Sequence, residues 1–332
     1  MQRPSLVGIM LATTATFFEL VRDRLSQVEA RMRAGSGKHH PNTDAAIEHL
    51  LASGGKRIRP TLALLAGEML GAETERTITL AASIEMLHTA TLVHDDLIDG
   101  SLLRRGLPTL NAQWTPGATV LTGDYIFARA AQLAAQTGSL RLMELFAQTL
   151  MTIVNGEITQ LFRSRRGDLR QSYYQSIYAK TASLFELAGE AAALLGTSAD
   201  SSIRPMKDFG YQVGMAFQIV DDILDFAGNQ EQVGKPLASD LRQGLVTLPT
   251  VHYLEMHPED PDLVRLLEDA HLDSQALDRL IASIRSSGAI ERSLEEAGRY
   301  AATAEADLAT MPDCREREGL RQLARYTVQR ST

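Results

Sequence analysis

Apolar residues recur at spacings of three and four along almost the whole chain, and no stretch alternates apolar and polar for long. The first spacing lines one face of a helix and the second would line one face of a strand, so the pattern predicts an all-α protein. Predicted helices cover 44–53, 60–71, 74–99, 119–137, 139–164, 171–195, 203–228, 246–256, 260–270, 274–287 and 289–329, the last broken near Pro312. An uncharged run from Leu6 to Phe18 predicts a further helix at the N-terminus. The segment 34–43 reads as a loop ending in the N-cap candidates Asn42 and Thr43, Gly54-Gly55 stops a helix, and Pro60 suits a first turn. Two long loops, 100–118 and 229–245, each follow a cluster of aspartates, and long loops in compact domains are commonly functional. No repeat of fixed period and no second domain is evident. The expectation is one all-helical domain over 1–332, carrying an N-terminal helix and loop at 1–37.

Composition narrows this picture. The 332 residues are ample for a large core, with 44% hydrophobic and 22% charged residues. A net charge of −8 argues against nucleic acid as a partner, which needs a basic surface. The run 6–18 is short for a membrane span, contains Thr13, Thr14 and Thr16, and lacks a clear cleavage site for a secretory signal. Cys314 is the one cysteine, so no intramolecular disulfide can form, which suits a reducing cytoplasm.

The candidate chemistry lies in an echo: LVHDDLID at 92–99 and QIVDDILD at 218–225. Each places three aspartates near the end of a predicted helix. Residues four apart share a face, so Asp95 converges with Asp99 and Asp221 with Asp225, while Asp96 and Asp222 sit between. Neighbouring carboxylates repel one another, and a helix C-terminus already carries partial negative charge. A single cluster of this kind reads as a solvated acidic helix end. Two, each flanked by apolar residues, call for a cation, and Mg²⁺, which combines carboxylates with water and phosphates, fits best.

Basic residues stand where a diphosphate would need them. GGKRIRP at 54–60 supplies Lys56, Arg57 and Arg59 beside a glycine pair; SLLRRG at 101–106 places Arg104 and Arg105 after the first acidic cluster. Lys180 precedes Thr181, and Lys235 follows the second cluster by ten residues. Arg suits two-pronged phosphate contact and Lys acts as a point charge. Taken singly, each could equally be an ordinary surface charge. His88 lies two helical turns before Asp95 and points the same way, although a lone histidine on an apolar helix is more often a core residue.

These strings, with TGDYIFARA, NGEITQL, YAKTASLF, GMAFQIVDDILDFAG and VGKPLASDLRQGLVTLP, resemble the trans-type polyprenyl diphosphate synthases from about residue 44 to the C-terminus. The resemblance implies a bundle of ten or more helices around a central substrate cavity. It implies head-to-tail condensation of isopentenyl diphosphate with an allylic diphosphate: the allylic C–O bond ionises, the isopentenyl double bond attacks, and a proton is lost to the departing diphosphate. Asp95 and Asp99 would bind two Mg²⁺ ions and Asp221 a third, with Asp222, Asp225 and Asp240 helping directly or through water and Asp96 among the metal-binding set. Arg104, Lys180 and Lys235 would grip the allylic diphosphate. Lys56, Arg59, His88 and Arg105 would hold isopentenyl diphosphate. Thr181 and Gln218 would face the developing cation, with Phe217 against the substrate. Relatives of this type pair through long helices, so a homodimer is expected, and a lipid product leaves peripheral membrane contact open.

One departure concerns Gly244-Leu245-Val246-Thr247-Leu248, where many such synthases carry lysine at the position of Leu245; Arg242 is a candidate substitute. Product length is set in this family by the first bulky side chain below the aspartates. Leu87, Ala90 and Thr91 offer no aromatic, and Phe146 is a candidate deeper floor, which predicts a product longer than C20. Three alternatives remain at this stage: a short-chain farnesyl or geranylgeranyl synthase, separable by product sizing; a class I terpene cyclase, against which the second basic set stands; and a non-catalytic synthase subunit, against which both complete aspartate clusters stand.

Overall fold

The computed structural model describes residues 6–34, 40–162, 167–197, 199–227, 237–269 and 272–330. Its helices are α1 (Leu6–Arg33), α2 (Pro41–Ala52), α3 (Ile58–Met69), α4 (Thr74–Ile98), α5 (Leu110–Gln113), α6 (Pro116–Gln136), α7 (Leu140–Leu161), α8 (Leu169–Ile177), α9 (Ser183–Gly196), α10 (Asp200–Ala227), α11 (Ser239–Arg242), α12 (Leu248–Met256), α13 (Pro261–Asp269), α14 (Ser274–Ser286), α15 (Ala289–Asp307) and α16 (Arg315–Gln329). The described sheet is one hairpin, β1 (Leu103–Arg104) against β2 (Leu107–Pro108). The protein is all-α, as the three-and-four spacing predicts.

The departures are local and have causes. Helix α2 begins at Pro41 rather than Asp44, because Pro41 takes the first helical position and the His40 ring accepts from Asn42 N–H. The loop 100–118 is largely structured. Arg105 and Gly106 both have positive φ (52° and 78°), which makes the two-residue turn that closes the hairpin. Helix α10 starts three residues earlier than expected and carries Pro205 in its second turn. The predicted helix 171–195 is interrupted by a π turn, Tyr178–Ala182, between α8 and α9.

The chain forms two compact units, each assembled from separated stretches. The first comprises 1–149, 184–210 and 307–323. Its central element is α4, buried at every position from Thr77 to Leu87. A helix buried all round has no polar face, and α4 packs against α1, α3 and α6. Helices α9 and α10 cross at backbone contact in this unit. A Cβ on Gly189 would lie 2.0 Å from the Met206 carbonyl oxygen, and one on Gly210 would lie 2.3 Å from that of Phe185. Only glycine fits either position.

The second unit comprises 150–183, 211–306 and 324–332. One core cluster there gathers Tyr173, Ile177, Met215, Ile219, Ile223 and Val251, and another gathers Phe226, Leu263, Leu280 and Ile284. The apolar flanks of QIVDDILD therefore anchor the end of α10 in its own core.

Candidate active site

In the first unit, α4 ends in the aspartates. Asp96 is buried, Asp95 half-buried and Asp99 exposed. The hairpin turns Arg104 back onto Asp96, with Nε at 2.9 and 3.0 Å from the two carboxylate oxygens and Nη2 at 2.7 Å from Oδ1. Such a two-pronged pair is strong and directional. The next residue, Arg105, donates to the Gly54 carbonyl oxygen. Gly54 has positive φ (71°), and a Cβ on Gly55 would crowd the Arg105 and Arg57 guanidinium groups at 3.1 and 3.2 Å.

Arg57 is left-handed (φ 48°) at the start of α3 and spans two carboxylates. It donates to Glu85 at 2.7 Å and to Glu29 at 3.1 Å. Arg59 stacks on the Phe185 ring at 4.6 Å, and Lys56 is exposed. His88 registers the result. Loss of hydration first, and then the charges of Arg59, Arg105, Arg104 and Arg57, hold its pKa well below the ordinary value, so the imidazole is neutral. The charges of four arginines thus reach one histidine two turns before Asp95. Below it, Leu87 and Ala90 are buried, Thr91 donates to the His88 carbonyl oxygen at 2.8 Å, and Phe146 is buried on α7. His94, in the first aspartate motif, packs so closely on α6 that a Cβ on Gly123 would lie 2.2 Å from its Nε2.

In the second unit, the π turn shifts the register of Lys180 and Thr181. Lys180 meets Glu157 at 3.1 Å, and the Thr181 hydroxyl donates to Gln218 Oε1 at 2.6 Å. A π turn inside a helix is frequently found at functional positions. Gln218 Nε2 in turn donates to Asp222 Oδ1 at 2.8 Å, and the Tyr173 hydroxyl donates to Asp222 Oδ2 at 2.6 Å. Burial pushes the Asp222 pKa up to about 8 against the pull of those two donors, and the nearby Asp240 and Asp221 charges add to the rise. Asp225 accepts from Ser239 N–H at 3.0 Å, Ser239 hydroxyl at 2.7 Å and Asp240 N–H at 3.1 Å, so it caps α11 and fixes Asp240. Asp221 pairs with Arg330 at 2.7 Å, and that guanidinium lies 3.7 Å over the Phe217 ring.

The placements refine the sequence-based set. Of the aspartates expected to ligate metal, Asp96 accepts from Arg104, Asp222 from Tyr173 and Gln218, Asp225 from α11 and Asp221 from Arg330. Arg242, the candidate substitute for the missing lysine, pairs with Asp278 at 2.6 Å and donates to the Leu237 carbonyl oxygen at 2.9 Å. Lys235 lies outside the described residues. Glu85, Glu157, Tyr173 and Arg330 were not expected at all.

Comparison with known proteins now decides the family. The polyprenyl synthetase family model matches residues 40–284. The chain belongs to the polyprenyl synthetase family. This family member is 37% identical over 286 residues to octaprenyl diphosphate synthase of Escherichia coli (strain K12), covering 85% of this chain and 88% of that protein. It is 38% identical over 315 residues to heptaprenyl diphosphate synthase component 2 of Geobacillus stearothermophilus, covering 94% and 98%. Its fold matches the crystal structure of a polyprenyl synthase from Caulobacter crescentus complexed with calcium and isoprenyl diphosphate, with a TM-score of 0.86 and 36% identity over 96% of this chain and 98% of that one. The family member is a trans-prenyltransferase of the long-chain polyprenyl diphosphate synthase kind that uses a divalent metal.

The residues present fit such a metal. Among the described residues, no group of three or more His, Cys, Asp or Glu side chains is arranged to hold an ion by itself. Carboxylates set one turn apart at a helix C-terminus offer the hard oxygen donors that Mg²⁺ combines with water and substrate phosphate.

Proposed function

We propose that this chain condenses isopentenyl diphosphate with an allylic diphosphate, repeatedly and in the presence of Mg²⁺, to an all-trans polyprenyl diphosphate of C30 to C50. The observation that carries the reading is a basic set apart from Arg104: Arg105, tied to the Gly54 carbonyl oxygen, and Arg59, stacked on the Phe185 ring, whose charges both act on His88. A cyclase acting on one allylic diphosphate has no use for that second cationic pocket.

In this reading Lys56, Arg59, His88 and Arg105 hold isopentenyl diphosphate, and Arg104, Lys180 and Lys235 hold the allylic diphosphate. Asp95, Asp99 and Asp221 hold Mg²⁺, three ions with substrate bound, while Asp96, Asp222, Asp225 and Asp240 keep their neighbours in place. The bound metal would supply electrostatic stabilisation of the leaving diphosphate. The chain's own cations add to that field, Gln218 and Thr181 turn oxygen atoms rather than N–H groups to the reacting carbon, and the fixed geometry of both diphosphates provides proximity. Proton loss to the departing diphosphate needs no side-chain base. The small Ala90 and Thr91 leave the upper product channel open, and Phe146 sets its floor.

A homodimer is the proposed assembly. Met151, Val154, Ile158 and Leu161 are exposed at spacings of three and four on the second half of α7, with Phe162 exposed just past its end, a stripe that a second copy of the same helix would cover. No helix among the described residues is long and apolar enough to cross a membrane. A cytoplasmic enzyme touching the membrane surface only to release product is consistent with this.

The test is incubation of the purified chain with farnesyl diphosphate, labelled isopentenyl diphosphate and Mg²⁺, followed by product sizing. Label in products longer than C20 is expected. A C15 or C20 ceiling would favour the short-chain reading, and hydrocarbon release without isopentenyl diphosphate would favour a cyclase. Because the Geobacillus relative is one component of its synthase, activity of this chain alone also decides whether a second protein is required.

A further inference from the structure

The reading above uses Thr181 and Gln218, yet neither is held by its own helix alone. Tyr173, Asp222, Gln218 and Thr181 form an unbranched chain of three short hydrogen bonds within the second unit (2.6, 2.8 and 2.6 Å). Tyr173 is 3% exposed and Asp222 4%, so water cannot replace either partner cheaply. The geometry gives each bond its direction. The Tyr173 hydroxyl proton and one Gln218 amide proton both go to Asp222, one to each oxygen. That choice turns the Gln218 carbonyl toward Thr181. Thr181 then spends its one hydroxyl proton on Gln218 and can offer only lone pairs to anything else.

Resting on the prenyl-transfer reading, we propose that Tyr173 is a positioning residue for the transfer step, fixing through Asp222 the orientation of the Gln218 amide and of the Thr181 hydroxyl. A flipped amide would free Thr181 to aim its proton, and Gln218 to aim its N–H₂, where positive charge develops. Either change opposes the reaction electrostatically without touching the diphosphate contacts. Tyr173 therefore acts on turnover and not on substrate affinity.

The experiment is a double-mutant cycle on the full chain, with Tyr173→Phe, Asp222→Asn and both together. Steady-state kinetics would be measured for each substrate in saturating Mg²⁺, beside thermal melts. Tyr173→Phe preserves the ring that fills the core and removes one donor. It is expected to lower kcat about tenfold to a hundredfold, with both KM values within about threefold of wild type. Because Tyr173 works through Asp222, adding Tyr173→Phe to Asp222→Asn is expected to cost less than about twofold more. A kcat within about twofold of wild type, or losses that multiply in the double variant, overturns the proposal. A melting shift that accounts for the activity loss in both backgrounds makes Tyr173 structural and overturns it too. Should Tyr173→Phe not fold, Thr181→Val reads the other end of the same chain, and an unchanged kcat there is equally fatal. Failure of the prenyl-transfer reading looks different: the wild-type chain itself would incorporate no label.

Discussion

Replacing Glu85 with glutamine tests whether the basic loop 54–59 is positioned or merely stabilised. Glu85 and Arg57 meet at 2.7 Å with side chains only 6% and 11% exposed, so the pair is nearly dry. Removing one partner of a buried pair costs about 3–5 kcal/mol, since the other charge stays behind. Two features reduce this. Glutamine keeps one acceptor oxygen, worth about 1 kcal/mol, and Arg57 retains Glu29 at 3.1 Å on its outer side. A loss of about 2 kcal/mol remains, which lowers the melting temperature of a chain this size by about 3 °C. Arg57 also sits in left-handed backbone and crowds Gly55 together with Arg105. Once its inner anchor weakens, that turn can relax, and Lys56 and Arg59 on either side lose their aim. The KM for isopentenyl diphosphate is expected to rise about tenfold, with kcat and the allylic KM within about threefold of wild type. Separate titration of the two substrates, beside a melt, reads both numbers. A melting drop with an unchanged isopentenyl KM would refute the positioning argument, and no change in either would refute the estimate of the pair itself.

Asp95→Ala and Asp221→Ala are each expected to lower kcat by orders of magnitude while raising KM far less; near-normal turnover in both would count against metal ligation. Gly210→Ala drives a Cβ to 2.3 Å from the Phe185 carbonyl oxygen, and because the obstacle is backbone the cost should reach about 3 kcal/mol or more, seen as a melting drop of about 4 °C or more. Burial, and after it the Asp208 charge, raises the Asp307 pKa to about 6, so the folded state holds a proton there that the unfolded chain releases near pH 4. That contribution is full below pH 4 and lost as pH rises through 6; Asp307→Asn should therefore raise the melting temperature by a few degrees at pH 8, with the gain vanishing by pH 4. Phe146→Ala should lengthen the product, and an unchanged distribution on sizing would remove Phe146 as the floor.

Much of the fold and both acidic motifs were legible because their signals are local. Helical periodicity needs a window of two or three turns, and a DDxxD string announces its own repulsion. What escaped reading depends on partners remote in sequence. Arg330 and Asp221 are 109 residues apart, and Tyr173 and Asp222 are 49 apart. Nothing near Tyr173 distinguishes it from Tyr174, which packs beside it. The π turn at Tyr178–Ala182 was invisible because the string YAKTA carries no glycine or proline to mark a break in the helix. The hairpin was missed for the opposite reason: Arg105 is an unlikely residue for positive φ, and it is tolerated because the carbonyl of Gly54 holds its side chain. Arg242 looked available from its place in the string, and only the fold reveals Asp278 beside it.

The turn at Arg105-Gly106 has a mechanical meaning as well. Two residues joined by one peptide bond grip different parts of the first unit, Arg104 the carboxylate at the end of α4 and Arg105 the glycine loop ahead of α3. So short a linkage has no slack to absorb movement. If Arg104 swings from Asp96 to a phosphate, the same backbone pulls on Gly54 and on the loop that carries Lys56. Filling one cationic pocket would then reshape the other, and an ordered sequence of substrate binding would follow from the shortness of a hairpin.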